Sequence, residues 1–146
     1  AKVSLQMAVV CGGDDRLYRK LQEHEWHKPV QLYNWIDNMP ELMHASDFII
    51  AKAGGLIVSE ALACGLPLII PEALPGQEAG NVKYVVDHHA GAWAPGPVEV
   101  LATTIAWINK NKLQDMQENA RKLGNPDASY TIARKIWGLV ASTSGK

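Results

Sequence analysis

Five short apolar runs alternate with helix-length segments, and this alternation constrains the fold more than any other feature of the chain. The runs are Leu5–Cys11, Val30–Tyr33, Asp47–Ala51, Leu68–Ile70 and Gly91–Ala94. They are apolar along their length rather than at every second position. A parallel strand covered by helices on both faces reads this way, whereas a strand with one wet face alternates. The intervening segments are Asp14–Glu25, a stretch capped by Asp37 or Asn38 and running to about Ala45, Leu56–Cys64, and Gln77–His89. Three more helices follow, one opened by Pro97, then Leu113–Leu123 and Ala128–Val140. The expected class is α/β, a doubly wound Rossmann-like parallel sheet with a C-terminal helical cap. The expected domain covers residues 1–141, with residues 142–146 as a frayed tail. Val98, Leu101, Ile105 and Ile108 share one helical face. That face and the Leu/Ile face of the last helix are expected to be core and not a membrane anchor, with Trp93, Trp107 and Trp137 as packing residues.

In such a sheet ligands bind beyond the carboxyl ends of the strands. Four loops should share that edge, and they hold most of the distinctive residues. Ala51-Lys-Ala-Gly-Gly-Leu-Ile-Val-Ser-Glu60 is a glycine pair between a strand and a helix. Glycines there let backbone N–H groups approach a ligand, at a helix end that favours negative charge. Glu60 follows about one turn into the helix, within reach of hydroxyls attached to a bound phosphate. The combination suggests a nucleotide-sugar site. Pro71–Asn81 places Gln77, Glu78 and Asn81 at a helix start, an amide and carboxylate cluster suited to sugar hydroxyls. Asn34-Trp-Ile-Asp37 offers either an aromatic that stacks on a base or a Trp packed under the sheet rim. Cys11-Gly-Gly-Asp14 reads as a tight turn into a helix. It is not GxGxxG, and no acid lies about 20 residues on to hold a ribose.

Composition narrows the class further. The chain has 146 residues, 47% hydrophobic and 20% charged, with a formal net charge of −1. That is enough for one domain with a real core, and it carries no general drive toward nucleic acid. Cys11 and Cys64 are far apart and form no CxxC pair, so buried thiols in a reducing, cytoplasmic setting are expected. No apolar run approaches the ~18 residues needed to cross a bilayer. His88-His89 lacks a third ligand at metal spacing, so helix-end capping or solvation is the expected role and no metal or cofactor is expected. Ser59 lies outside any GxSxG. Asp14-Asp15 is expected to serve a helix start.

The pairing of the glycine turn with the Pro71–Asn81 loop is more specific than either alone. Gly54-Gly55-Leu56 through Ser59-Glu60, Ala63-Cys-Gly-Leu-Pro-Leu-Ile-Ile-Pro71 and Pro75-Gly-Gln-Glu-Ala-Gly-Asn81 together resemble the donor-binding half of GT-B glycosyltransferases, family 28-like. That family includes monogalactosyldiacylglycerol synthase and, more distantly, the lipid II-forming N-acetylglucosaminyltransferase. The resemblance covers roughly residues 5–110. It implies that Trp35 and the Ile36 backbone hold uracil and that Glu60 binds the ribose hydroxyls. It implies that Gly54, Gly55 and the Leu56–Ile57 amides face the diphosphate. Gln77 and Glu78 would contact the donor sugar, with Asn81 supporting them or the phosphates. The implied activity is an inverting hexosyltransferase that moves galactose or glucose from a UDP-sugar substrate to a lipid acceptor such as diacylglycerol.

The chain departs from the family pattern in two ways. The family's donor domain opens with a further strand and a GGG-type loop, and only four residues precede Leu5 here. The catalytic base and acceptor site belong to a separate N-terminal domain, so no catalytic residue is assigned in this chain. It is therefore expected to be a fragment that binds donor weakly and does not turn over alone. Peripheral membrane association of the intact enzyme and pairing of two fragments across an open strand slot are further expectations. Two alternatives remain. One is a fragment like a UDP-N-acetylglucosamine 2-epimerase, which the lead-in Ala51-Lys52-Ala53 disfavours. The other is a stand-alone donor-binding subunit recruited by a membrane partner.

Overall fold

The computed structural model describes residues 4–109 and 112–143. Among these the order is β1 (Met7–Val10), α1 (Asp15–Gln22), β2 (Val30–Tyr33), α2 (Met39–His44), β3 (Ile49–Ile50), α3 (Gly55–Ala63), β4 (Leu68–Ile70), α4 (Ala79–Asp87), β5 (Gly91–Trp93), α5 (Pro97–Asn109), α6 (Leu113–Leu123) and α7 (Ala128–Thr143). Every strand pair is parallel, with a helix in each crossover, as the apolar runs predict. The described strands form two sheets rather than one, β1-β2 and β3-β4-β5. The chain divides into two compact units, residues 1–42 and 43–146.

In the first unit, Met7 to Val10 run in register with Val30 to Tyr33. Asp14 caps α1 by accepting the Leu17 N–H at 2.9 Å. That satisfies one of the first-turn donors that a helix leaves open. None of the described residues of this unit is fully buried. A two-stranded sheet is a marginal structure by itself, and its burial is correspondingly shallow.

The second unit holds the core. Leu68, Ile69 and Ile70 of β4 are fully buried, each contributing about 1.5–3 kcal/mol by leaving water. Ile69, Ala94 and Trp107 form one cluster, and Phe48 meets Trp107 edge-on with ring centroids 5.7 Å apart. Two glycines mark close approaches. A Cβ on Gly91 would strike the Leu68 carbonyl and the Val85 side chain, and one on Gly124 would strike the Leu62 carbonyl. Those approaches seat β5 on β4 and the end of α6 on α3. His89, at φ 53°, closes α4 in the left-handed conformation; its N–H donates to the Val86 carbonyl, and that of Ala90 to the Val85 carbonyl. Helix-end capping at His88-His89 is what the structure contains.

The expected core faces of the terminal helices are corrected. In α5 the buried residues are Thr104 and Trp107, while Val98, Leu101 and Ile105 are exposed. At 3.6 residues per turn, Trp107 lies across the helix from Val98 and Ile105, with Val100 and Thr104 beside it. The bulk of Trp107 against Ile69 sets the rotation of the helix. Along α7 the described Leu/Ile face is exposed, and so is Trp137; Trp93 is also partly exposed. Ser142 and Thr143 continue α7, and the rest of the expected frayed tail lies outside the described residues. Cys11 and Cys64 are half-buried free thiols rather than fully buried ones.

Candidate functional site

α3 begins at the glycine pair with its N-terminal amides open. Gly54 is the N-cap, at φ −61° and ψ 139°, and having no side chain it gives no capping bond. The first intrahelical bond runs from Val58 N–H to the Gly54 carbonyl. The amides of Gly55, Leu56 and Ile57 therefore have no intrahelical acceptor. The first turn carries no acidic residue, and exposed Lys52 stands two residues before the cap. Such a terminus suits an anion, which the helix dipole stabilises by about 0.3–1 kcal/mol.

Two side chains from the start of α4, its N-cap Glu78 and Asn81 in its first turn, lie against this turn. The Asn81 Nδ2 donates to the Ala53 carbonyl at 2.8 Å. Its amide lies 3.8 Å from where a Gly55 Cβ would stand, and the Glu78 Oε1 lies 3.6 Å from the corresponding Gly54 position. The other Glu78 oxygen accepts the Leu74 N–H at 2.7 Å, closing the turn before α4. Gln77 precedes the helix and is exposed, since α4 starts at Ala79 rather than at Gln77. The structure thus brings Gly54, Gly55, Glu78 and Asn81 together. It commits Asn81 to the backbone of the turn and leaves one Glu78 oxygen beside Gly54.

Glu60 is exposed on α3, one turn after the open amides. One turn further, burial first and the Glu60 carboxylate second push the Cys64 thiol above its ordinary pKa. Ser59 turns its hydroxyl back to the Gly55 carbonyl at 2.8 Å, which removes it as a nucleophile candidate. Leu56 is 74% exposed beside the turn.

In the first unit the loops after β1 and β2 are joined. Gly13 N–H donates to the Asn34 carbonyl at 2.8 Å, and the Asn34 Nδ2 donates to Asp15 at 2.5 Å. The Asn34 Oδ1 is enclosed without a partner among the described residues. Trp35 is 65% exposed and its Nε1 donates to Asp37 at 2.8 Å. Its ring edge lies 3.6 Å from a Gly13 Cβ position, and Gly13 at φ 88° needs glycine in any case. Most of Trp35 thus meets solvent, with its ring edge against the Gly13 turn. The Asn34 ties between the two loops escape sequence reading. Their only signal is an amide residue directly after a strand, which is common in turns. Among the described residues no group of three or more His, Cys, Asp or Glu could hold a metal ion.

Parallel strands with crossover helices, and an uncapped glycine turn between β3 and α3, make this an α/β fold with a helix start open to an anion. Comparison with known proteins agrees. The Acinetobacter baumannii MurG structure superposes with a TM-score of 0.79 at 21% identity, covering 94% of this chain and 42% of that one. The Streptomyces nogalater glycosyltransferase SnogD gives a TM-score of 0.57 at 16% identity, covering 95% and 43%. The family described as "Glycosyl transferases group 1" matches residues 3–123, and the chain belongs to it. Monogalactosyldiacylglycerol synthase 3, chloroplastic, of Arabidopsis thaliana is 43% identical over 136 residues, covering 92% of this chain and 29% of that protein. The Spinacia oleracea monogalactosyldiacylglycerol synthase is 39% identical over 137 residues, covering 92% and 26%. The chain thus spans under a third of the length of these relatives. Their names, GT-B architecture and hexosyltransferase class match the resemblance read from the glycine turn and the Pro71–Asn81 loop.

Proposed function

We propose that this chain is the UDP-sugar-binding part of an inverting hexosyltransferase acting on a lipid acceptor of the diacylglycerol type. The open amides of Gly55, Leu56 and Ile57, with Asn81 fixed to Ala53 and Glu78 beside Gly54, carry the reading. In it those amides receive the donor's diphosphate, Glu60 the ribose hydroxyls, and Gln77 with the free Glu78 oxygen the hexose. Trp35 and the Ile36 backbone take the uracil. The relatives named as monogalactosyldiacylglycerol synthases support galactose as donor sugar and diacylglycerol as acceptor.

The chemistry follows from where charge develops. An acceptor oxygen, deprotonated by a base outside this chain, attacks the anomeric carbon as the bond to UDP breaks. Negative charge grows on the departing diphosphate, where fixed amide dipoles lower the barrier without reorganising. The test is titration of the 146-residue chain with UDP, followed by amide NMR and calorimetry. Shifts centred on Gly54–Ile57 are expected at millimolar UDP, weakened when the ribose hydroxyls are removed. A folded sample with neither shifts nor heat would sink the reading.

A further inference from the structure

Trp35 is held in place although most of it lies in water. The loops after β1 and β2 leave the sheet side by side, because Val10 is paired with Tyr33 and the ladder continues from the Cys11 N–H to the Tyr33 carbonyl at 2.9 Å. One step further, the Gly13 N–H donates to the Asn34 carbonyl at 2.8 Å, which fixes the backbone directly before Trp35. The ring edge rests on the Gly13 turn, and the Nε1 donates to Asp37 at 2.8 Å. Burial does not account for these restraints, since Trp35 is 65% exposed. A large aromatic side chain held in one orientation with its area in water is what a stacking platform for a flat ligand needs.

The Asn34 side chain completes the restraint. Its Nδ2 donates to the Asp15 carboxylate at 2.5 Å, across 19 positions of sequence. A bond to a carboxylate is stronger than one between neutral groups. The Asn34 Oδ1 is enclosed without a partner among the described residues, an arrangement that costs stability. Turning the amide over would set that oxygen against the Asp15 carboxylate, so the orientation is fixed. Asp15 does not need this bond to serve α1, because the N-cap is Asp14, which accepts the Leu17 N–H by itself. The Asp15–Asn34 pair therefore lies outside what the helix and the sheet require.

We propose that Asp15 is a positioning residue for recognition of the nucleotide base. It holds Asn34, Asn34 holds the start of the loop between β2 and α2, and Trp35 is thereby kept in the orientation in which it stacks on the base. Little order is then lost on binding, because it has been given up on folding. All of these residues lie in the first unit. The inference rests on the reading of Trp35 as the uracil-stacking residue, and adds to it a group that touches no part of the donor.

The experiment is a double-variant cycle on the 146-residue chain, with D15A, W35A and D15A/W35A each titrated with UDP and with inorganic diphosphate. D15A should raise the UDP dissociation constant about fivefold, the cost of ordering one side chain on binding. Inorganic diphosphate has no base and should bind D15A as well as the wild type or better, because the change removes a negative charge. Once Trp35 is gone, D15A should alter UDP affinity by less than about twofold. NMR relaxation of the Trp35 indole N–H, without ligand, should show larger fast motion in D15A than in the wild type. N34A breaks the same bond from the other side and should reproduce D15A, whereas D15N keeps an acceptor oxygen and should recover most of the affinity. The proposal is overturned if D15A and N34A leave UDP affinity unchanged, if they weaken diphosphate equally, or if the D15A effect persists in full without Trp35. If W35A itself binds UDP as the wild type does, the stacking reading of Trp35 fails, and this proposal with it.

Discussion

The Asn81 side chain donates to the Ala53 carbonyl across 28 positions of sequence, at 2.8 Å. This bond ties the start of α4 to the residue before the glycine turn of α3. Ala53 is fully buried and its own N–H donates to the Glu72 carbonyl, so the turn is anchored on both sides. Asn81→Ala removes the side-chain anchor and should lower stability by about 1 kcal/mol, the usual net worth of one such bond. UDP affinity should fall several-fold, with the Gly54–Ile57 amide shifts changed before any ligand is added. Asn81→Asp should be worse, because a carboxylate then faces a carbonyl oxygen and adds negative charge at an anion site. Unfolding curves and UDP titration of the same samples check both.

The glycines separate ligand demands from folding demands. Gly54 has an ordinary φ of −61°, and a Cβ there would meet Glu78 Oε1 at 3.6 Å, a normal contact. Gly54→Ala should leave stability within about 0.5 kcal/mol, as for a surface change. It should nevertheless weaken UDP binding, because the methyl group occupies the approach to the open amides. Gly91→Ala is the contrast. Its Cβ would collide with the Leu68 carbonyl and Val85, so it should cost about 1–3 kcal/mol or more. Thermal unfolding of both variants beside UDP titration of Gly54→Ala decides the point.

Much of this was legible in the residue order. Each strand and helix occurs where periodicity and Gly/Pro punctuation put it, with β2, β4 and α6 matching residue for residue. Local signals sufficed there because propensity, pattern and tertiary placement agree. The glycine turn and its neighbours were legible as residue types, and the structure brings Gly54, Gly55, Glu78 and Asn81 together. What was not legible is orientation. Periodicity finds the aliphatic stripe Val98–Leu101–Ile105 but cannot know that Trp107, on the other side of α5, has the better place against Ile69. The same holds for α7, whose apolar face is genuine and exposed. Likewise Asn81 reads as a sugar ligand by type, and only the folded chain shows its amide bonded to Ala53.

Cys64 gives a pH-dependent readout one turn after Glu60. Burial, and then the Glu60 carboxylate, raise its pKa, so less thiolate is present at a given pH than for a free cysteine. Alkylation of Cys64 should reach half-maximal rate at a pH above that of the urea-unfolded chain. Glu60→Gln should move the profile part of the way back, leaving the share due to burial. The linkage sign follows: the contribution to stability is present below the unfolded thiol pKa and is lost as pH rises through the higher folded value. Mass-spectrometric alkylation rates across pH check this. Identical profiles for the wild type and Glu60→Gln would remove the electrostatic contact.

Trp35 distinguishes packing from recognition. Trp35 is 65% exposed and its Nε1 donates to exposed Asp37, so little stability rests on it. Trp35→Ala should shift unfolding by no more than about 0.5 kcal/mol. If the ring stacks on uracil, the same change should raise the UDP dissociation constant about tenfold to a hundredfold, the ~1–3 kcal/mol of one stacked base. Trp35→Phe keeps a stacking face and loses only the Asp37 bond, so it should recover most of the affinity. Inorganic diphosphate lacks a base and should bind all three proteins alike. A Trp35→Ala protein that unfolds easily yet binds UDP normally would make Trp35 a packing residue after all.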